Sequence, residues 1–435
     1  MKEIEKVWEE VRELSLGWSS RSNGIERLES PPSPIRFLRE FVSQNKPCII
    51  SNAISHWPAL SLWPIGGGGG GCGCSYLSRV LSQSLVSLHL TPHGRADSLV
   101  QLCHDSSSDH TTSSAVCCFA TAHVERVPFP RALDLVLNSS NNSDLNLNGS
   151  TATSTATSAT DTDRTRMKDT RRNSKKQEEE DQKKWNMAGV AYLQQQNDCF
   201  RTEYSELAQD CEAHIPWATE ALGCLPEAVN LWIGNHLSQT WFHKDHYENL
   251  YAVVSGEKHF LLLPPTDVHR MYIGNYPAAH YVYEKDENGG GEFRLEMEEP
   301  ARYVPWCSVN PYPSPEDEES ERSKYPLYFN GPKPFHCTLK AGDLLYLPSM
   351  WFHHVQQTPG AGGCTIAINY WYDMQFDIKY AYFNFLQSIP YGCRLIRTDG
   401  EDSSSDAFKW SLGNELHTGA SAGATPEANE ESESE

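Results

Sequence analysis

Apolar positions near the start recur at helical spacing. Ile4, Val7, Trp8, Val11 and Leu14 fall on one stripe, predicting an amphipathic helix over residues 3–14. Pro31, Pro32 and Pro34 interrupt the chain before a second helix over residues 35–43. Residues 46–51 read as a short buried strand, with a turn at His56-Trp57-Pro58. Between about Trp185 and Tyr380 the pattern changes. Short β-branched or aromatic runs at 228–233, 250–254, 258–263, 343–347, 354–357 and 365–372 are punctuated by Gly and Pro. No helical period separates them, which favours a mainly β, antiparallel double-sheet barrel over a parallel βαβ sheet. A last helix at 375–386 brings Phe376, Tyr380, Phe383 and Leu386 near one face, suited to core packing or to a dimer seam.

Polar stretches interrupt this framework. Six glycines at 66–71 lack the Lys-Ser/Thr of a phosphate loop and read as an expanded loop. Residues 138–184 run through Asn/Ser, Thr/Ala/Ser and then mixed charge, too polar to fold alone, and are expected to be a disordered insertion. Arg171-Arg172 with Lys175-Lys176 makes a weak import-like cluster that reads more simply as solvated charge. Acidic loops are expected at 284–299 and 316–322, and residues 401–435 form an acidic tail. The 57 acidic and 36 basic side chains give 435 residues a formal charge of −21, which argues against phosphate-driven nucleic-acid binding and against anionic membranes. No apolar run approaches a membrane span. The charged segment Met1 to Trp18 lacks the core of a secretory signal. Thirteen irregularly spaced cysteines form no zinc-type set, so reduced thiols in a cytoplasmic or nuclear protein are expected.

Candidate chemistry begins at His243-Lys244-Asp245, where a strand starts after Thr240-Trp241-Phe242. Residues two apart on an extended chain share a face, so the imidazole and the carboxylate can converge on one ion. His-x-Asp alone arises by chance in a chain with 17 histidines. A third ligand gives it weight. Gly342 to Pro348 reads as a strand ending in a turn, and Trp351-Phe352-His353-His354-Val355 begins the next. Neighbouring histidines point to opposite faces, so one of His353 and His354 is a ligand and the other is not. Two histidines and a carboxylate leave three facial positions open, which suits non-heme Fe(II). Lys258 shares a face with Phe260 and Leu262, a costly place for an ammonium unless an anion pairs with it.

The set Trp-Phe-His243-x-Asp245, Gly256-Glu-Lys258, Leu-Tyr-Leu-Pro348-x3-Phe-His353-His354 and Ile-Asn369-Tyr-Trp371 resembles the jumonji-C oxygenases, in particular their small cupin-like hydroxylase branch. The upstream Phe-Leu-Arg-Glu-Phe-Val, Asn-Lys-Pro-Cys-Ile-Ile and His-Trp-Pro-Ala are similar to that branch as well. The likeness spans roughly residues 30–395 outside the insertions. It implies a double-stranded β-helix (jelly-roll, cupin) core with flanking helices. Residues 1–30 would carry the N-terminal helix, 31–137 the first part of the cupin-like domain, and 185–400 the catalytic core and C-terminal helix. The resemblance further implies Fe(II) on His243, Asp245 and His353, and 2-oxoglutarate held by Lys258 with Tyr192 and Thr240. Asn249 and Asn369 would lie near the co-substrate, and O2 would be the second co-substrate.

The expected activity is hydroxylation of a protein, at lysine in a basic segment, with succinate and CO2 as co-products. Histone-lysine demethylation by the same chemistry is the alternative. A zinc-type peptidase would use the same three ligands but give Lys258 no anion. A non-catalytic cupin binding module would not require all three ligands. A homodimer through the C-terminal helix stays open.

Overall fold

Eight strands with alternating inward and outward side chains build the centre of the protein, here described from a computed structural model covering residues 2–17, 24–65, 75–102, 117–139, 189–285 and 291–389. In chain order they are β1 (Ala228–Gly234), β2 (Gln239–His243), β3 (Tyr247–Ser255), β4 (Glu257–Leu263), β5 (Phe335–Lys340), β6 (Leu344–Leu347), β7 (Phe352–Thr358) and β8 (Thr365–Asp373). They sort into two sheets. One contains the order β6-β3-β8-β1 and the other β5-β4-β7-β2, all antiparallel. Consecutive strands switch sheets except β4 and β5, which are neighbours in one sheet, giving the jelly-roll path expected of a double-stranded β-helix. Gly256 makes the corner between β3 and β4. Its φ is +74°, and a Cβ there would lie 2.7 Å from the carbonyl oxygen of Thr358.

Inward residues of the two sheets, among them Trp232, Tyr251, Phe260, Leu262 and Val355, meet in one apolar cluster. The outer face of the β6-β3-β8-β1 sheet is covered by N-terminal elements through Phe37, Phe41, Trp57, Trp63 and Tyr346. Phe242, Leu261, Leu263 and Phe352 on the outer face of the other sheet pack beneath Trp8, Phe383 and Leu386. Stacked apolar layers of this kind supply most of a fold's stabilisation.

The N-terminal helix spans Lys2–Ser15. Its buried side is Trp8 with Val11, and Val7 and Leu14 are exposed, so the contact stripe is narrower than the apolar spacing suggests. Arg12 supplies the missing contact by donating to the buried carboxylate of Asp267 at 2.9 Å. The expected second helix is two short pieces, Pro34–Phe37 and a wider turn Leu38–Val42. The C-terminal helix spans Ile378–Ser388 and buries Phe383 and Leu386, while Phe376, Ile378 and Phe385 stay exposed.

The two acidic stretches differ from expectation. Residues Ile273–Lys285 and Gly291–Met297 are antiparallel strands, with Tyr281 and Tyr283 contacting Phe293, and Glu318–Lys324 is a helix. Many of their carboxylates are paired, as in Arg294 with Glu284, Arg302 with Glu298 and Arg322 with Glu318. The order comes from alternation (Tyr281 and Tyr283 on one strand, Phe293 and Leu295 on the other) that the intervening charges conceal. The six glycines, nearly all of residues 138–184 and the acidic tail lie outside the described residues. Among those described, nine cysteines are free, and no helix is long and apolar enough to cross a membrane.

Candidate metal and co-substrate site

β2 and β7 lie side by side and set His243 opposite His353. Their register slips, because Thr240 pairs with Val355 and three steps on β2 match two on β7. In a regular strand Thr240 and His243 would point to opposite faces; the bulge turns both toward the interior. Asp245 follows just past the end of β2. The ligand atoms of His243, Asp245 and His353 all lie within 4.8 Å of one another.

Each imidazole is oriented by the backbone. His243 Nδ1 meets the Trp241 carbonyl at 2.8 Å, and His353 Nδ1 meets that of Trp351 at 3.1 Å. A carbonyl oxygen can only accept, so each Nδ1 carries the hydrogen and each Nε2 keeps its lone pair. Those two nitrogens stand 3.7 and 3.6 Å from the two oxygens of Asp245, beyond hydrogen-bond reach. Burial, reinforced by His243, pushes His353 down to about 4, so its ring is neutral. Two lone pairs and a carboxylate aimed at one point without a proton between them repel unless a cation sits there. The donor set therefore fits a divalent metal, and a mixed imidazole–carboxylate set suits iron.

His354 is not part of this group. It lies on the outer face of β7 against Trp241, Phe242 and Tyr312, and its buried Nδ1 has no partner among the described residues. The turn before β7 is fixed from behind. Glu248 accepts from the Tyr346 hydroxyl at 2.6 Å, the Ser349 N–H at 3.2 Å and the Ser349 hydroxyl at 3.0 Å. Met350, next in that turn, donates its N–H to the Asp245 carbonyl at 2.9 Å.

A second cluster surrounds Lys258. Its side chain is buried, its Nζ donates to the Tyr192 hydroxyl at 3.0 Å, and it lies over the rings of Tyr192 and Tyr251. No carboxylate faces it among the described residues, and desolvation pushes it down to about 7. Tyr192 also hydrogen-bonds Thr240. Tyr192 comes from a separate strand, Val190–Tyr192, which pairs with Leu85–Thr91 and is bridged to β1 through Leu193 and Ile233. Gly234 makes room for it: a Cβ there would stand 2.4 Å from Gln357 Nε2 and 2.7 Å from the Tyr192 ring. Asn249 and Asn369 form a third contact at 3.2 Å, with Trp232 Nε1 donating to Asn369 at 2.7 Å. All eight residues singled out from the sequence thus sit in or along the barrel interior.

One further side chain adjoins the triad without any sequence signal. Trp306 stacks on His243 with centroids 6.2 Å apart and planes 8° apart. Asp97 is half-buried, and desolvation pushes its carboxyl up to about 6 against the opposing pull of His243.

The model of the cupin-like domain matches residues 34–378. The chain belongs to the cupin-like JmjC oxygenases. It is 55% identical to Lysine-specific demethylase JMJ32 of Arabidopsis thaliana, over 93% of this chain and 98% of that protein. It is 34% identical to Bifunctional peptidase and (3S)-lysyl hydroxylase JMJD7 of Homo sapiens, over 84% and 89%. Identity to JmjC domain-containing protein E of Dictyostelium discoideum is 31%, over 83% and 88%. As a JmjC enzyme the chain is a 2-oxoglutarate-dependent dioxygenase, of a family that generally uses Fe(II).

Proposed function

We propose that the chain hydroxylates a protein substrate at lysine, with Fe(II) held by His243, Asp245 and His353 and 2-oxoglutarate anchored by Lys258. The observation that carries this reading is Lys258: a buried ammonium with a tyrosine hydroxyl and, among the described residues, no acid beside it calls for one anionic ligand. Tyr192 and Thr240 would donate to the same distal carboxylate, and Asn249 with Asn369 would line the other flank. Fe(II) with 2-oxoglutarate and O2 supplies the oxidising power for C–H hydroxylation, with succinate and CO2 as co-products. The chain's own part is to hold both imidazoles as Nε2 donors, keep the Lys258 pocket dry and orient the substrate.

The test is succinate release on lysine-containing basic peptides. Asp245→Ala is expected to abolish it while the thermal transition persists; turnover in that variant would remove the triad assignment. Demethylation is the second reading, favoured by the name of the 55% identical relative. Product mass separates them, since hydroxylation retains an oxygen and demethylation loses a methyl group. The peptidase in the name of the human relative suggests a third assay: cleavage independent of 2-oxoglutarate and indifferent to Lys258. Exposed Ile378 and Phe385 support pairing of two copies through the C-terminal helix, which sedimentation of the full chain would register as a doubled mass.

A further inference from the structure

We propose that Gln357 completes the co-substrate anchor as a positioning residue: its side-chain carbonyl takes one N–H of the Lys258 ammonium while the distal carboxylate of 2-oxoglutarate takes another. The inference rests on the Lys258 reading above and adds to it the acceptor that aims the cation.

The strand register puts the two side chains together. β4 and β7 run antiparallel, with Leu262 opposite His353, Phe260 opposite Val355 and Lys258 opposite Gln357. Directly opposed residues point to the same face, with side chains in reach of one another. That face is the barrel interior, since Leu262, Phe260 and Val355 all belong to the inner apolar cluster. His353 marks the metal end of this ladder of pairs, and Lys258 with Gln357 the opposite end. Both are buried, Lys258 at 1% and Gln357 at 5% exposure.

The amide of Gln357 is mounted rigidly. Its Nε2 donates to the Asn235 carbonyl at 2.6 Å, and because a carbonyl can only accept, that contact settles which amide atom is nitrogen and which is oxygen. Asn235 is itself held: its Nδ2 donates to the Val136 carbonyl at 3.0 Å and its Oδ1 accepts from the Leu237 N–H at 2.9 Å. The bare Cα of Gly234 lets the Gln357 amide and the Tyr192 ring share one space, each within 2.7 Å of where a Cβ would stand. Gln357 Oε1 is left buried with no partner among the described residues. A buried acceptor of this kind is unfavourable until a donor reaches it. The distal end of 2-oxoglutarate carries only acceptor oxygens, so it cannot be that donor. Lys258 can. An ammonium has three N–H groups, and Lys258 gives one to Tyr192 at 3.0 Å. The carboxylate and the Gln357 carbonyl account for the other two, which leaves the cation fully bonded and the amide satisfied.

The test is a double-mutant cycle read by binding rather than turnover. Full-length protein loaded with Mn(II) is titrated anaerobically by calorimetry with 2-oxoglutarate and with 2-oxopentanoate. The second acid has the same chain length but a methyl group in place of the distal carboxylate. The wild type is expected to favour 2-oxoglutarate about 10-fold or more, the scale of one charge-assisted hydrogen bond. Gln357→Met, unbranched and of similar length, should cut that ratio about 3- to 10-fold. Gln357→Glu, which sets a carboxylate against the ammonium, should cut it at least as far. In a Lys258→Met background, Gln357→Met should change the ratio by less than about twofold. Because the ratio is taken within each variant, a general weakening of the pocket cancels. A ratio that survives both Gln357 variants, or that falls as far without Lys258 as with it, would overturn the role of Gln357 and leave Lys258 as the anchor. A ratio that Lys258→Met leaves at its wild-type value would remove the anchor reading and this inference with it.

Discussion

Lys258 shows how a single residue trades stability for binding. Its ammonium is buried with one tyrosine hydroxyl as partner, and desolvation pushes it down to about 7. The unfolded chain holds the same proton up to the ordinary lysine range. Between about pH 7 and 10 the unfolded state therefore binds more protons, and this group makes the ligand-free protein more stable as pH rises. Lys258→Met is expected to flatten that slope and to stabilise the ligand-free protein near neutrality by a few kcal/mol, seen in thermal melts against pH. The same change should weaken 2-oxoglutarate binding roughly 10- to 150-fold, the worth of a charge-assisted bond. In the wild type, binding above about pH 7 must take up a proton, so affinity should fall up to about tenfold per pH unit there and level off below. Anaerobic calorimetry on Mn(II)-loaded protein at pH 6.5 and 8.5 reads this directly. Equal affinity at the two values would mean that Lys258 does not meet the carboxylate.

At the scale of elements, two devices hold the site: the bulge in β2 and the Glu248 brace behind the turn before β7. Glu248 gathers Tyr346, Ser349 and, at 3.6 Å, Lys379, and Met350 in the same turn holds the Asp245 carbonyl. Glu248→Ala would leave several buried donors without an acceptor, so a stability loss of about 3–5 kcal/mol is expected. Metal affinity should fall about 10- to 100-fold, as when outer supports of ligands are removed, and Glu248→Gln should recover part of both losses. Unchanged Co(II) affinity in the alanine variant would show that the brace serves the fold alone. The strands that carry His243, Lys258 and His353 are legible in the sequence because each is a short apolar run with an anomalous polar residue. The bulge is not. Strict alternation puts Thr240 and His243 on opposite faces, and nothing local announces the extra residue that unites them. The choice between His353 and His354 is likewise open to strand parity alone and falls to the register with β2. Trp306 carries no motif and reaches His243 from 63 residues further along the chain. The strands at 273–297 are hidden in the sequence because charges on either side of Phe293 and Leu295 mask a period of two.

For the molecule as a whole, the question is whether the segment between Ser139 and Gly189 matters to the barrel it interrupts. Tyr192, which would touch the co-substrate, follows that segment by only a few residues, so its position has to be secured from elsewhere. The fold supplies three anchors. His89, Leu90 and Thr91 pair with Tyr192, Ala191 and Val190, Leu193 bridges Ile233 of β1, and Ser139 Oγ accepts from the Ala191 N–H at 2.8 Å. The last contact also shows that the two ends of the interruption meet, so a few residues suffice to join them. Loop closure costs little more for a long connection than for a short one, which makes the length itself nearly neutral for stability. Replacing residues 141–187 with a short Gly/Ser joint is therefore expected to leave the melting temperature within a few degrees. The Kd for 2-oxoglutarate on Mn(II)-loaded protein should stay within about twofold, since none of the three anchors is touched. A drop in 2-oxoglutarate affinity with an unchanged melt would mean that the removed residues position Tyr192. Loss of both would mean that they are part of the folded barrel.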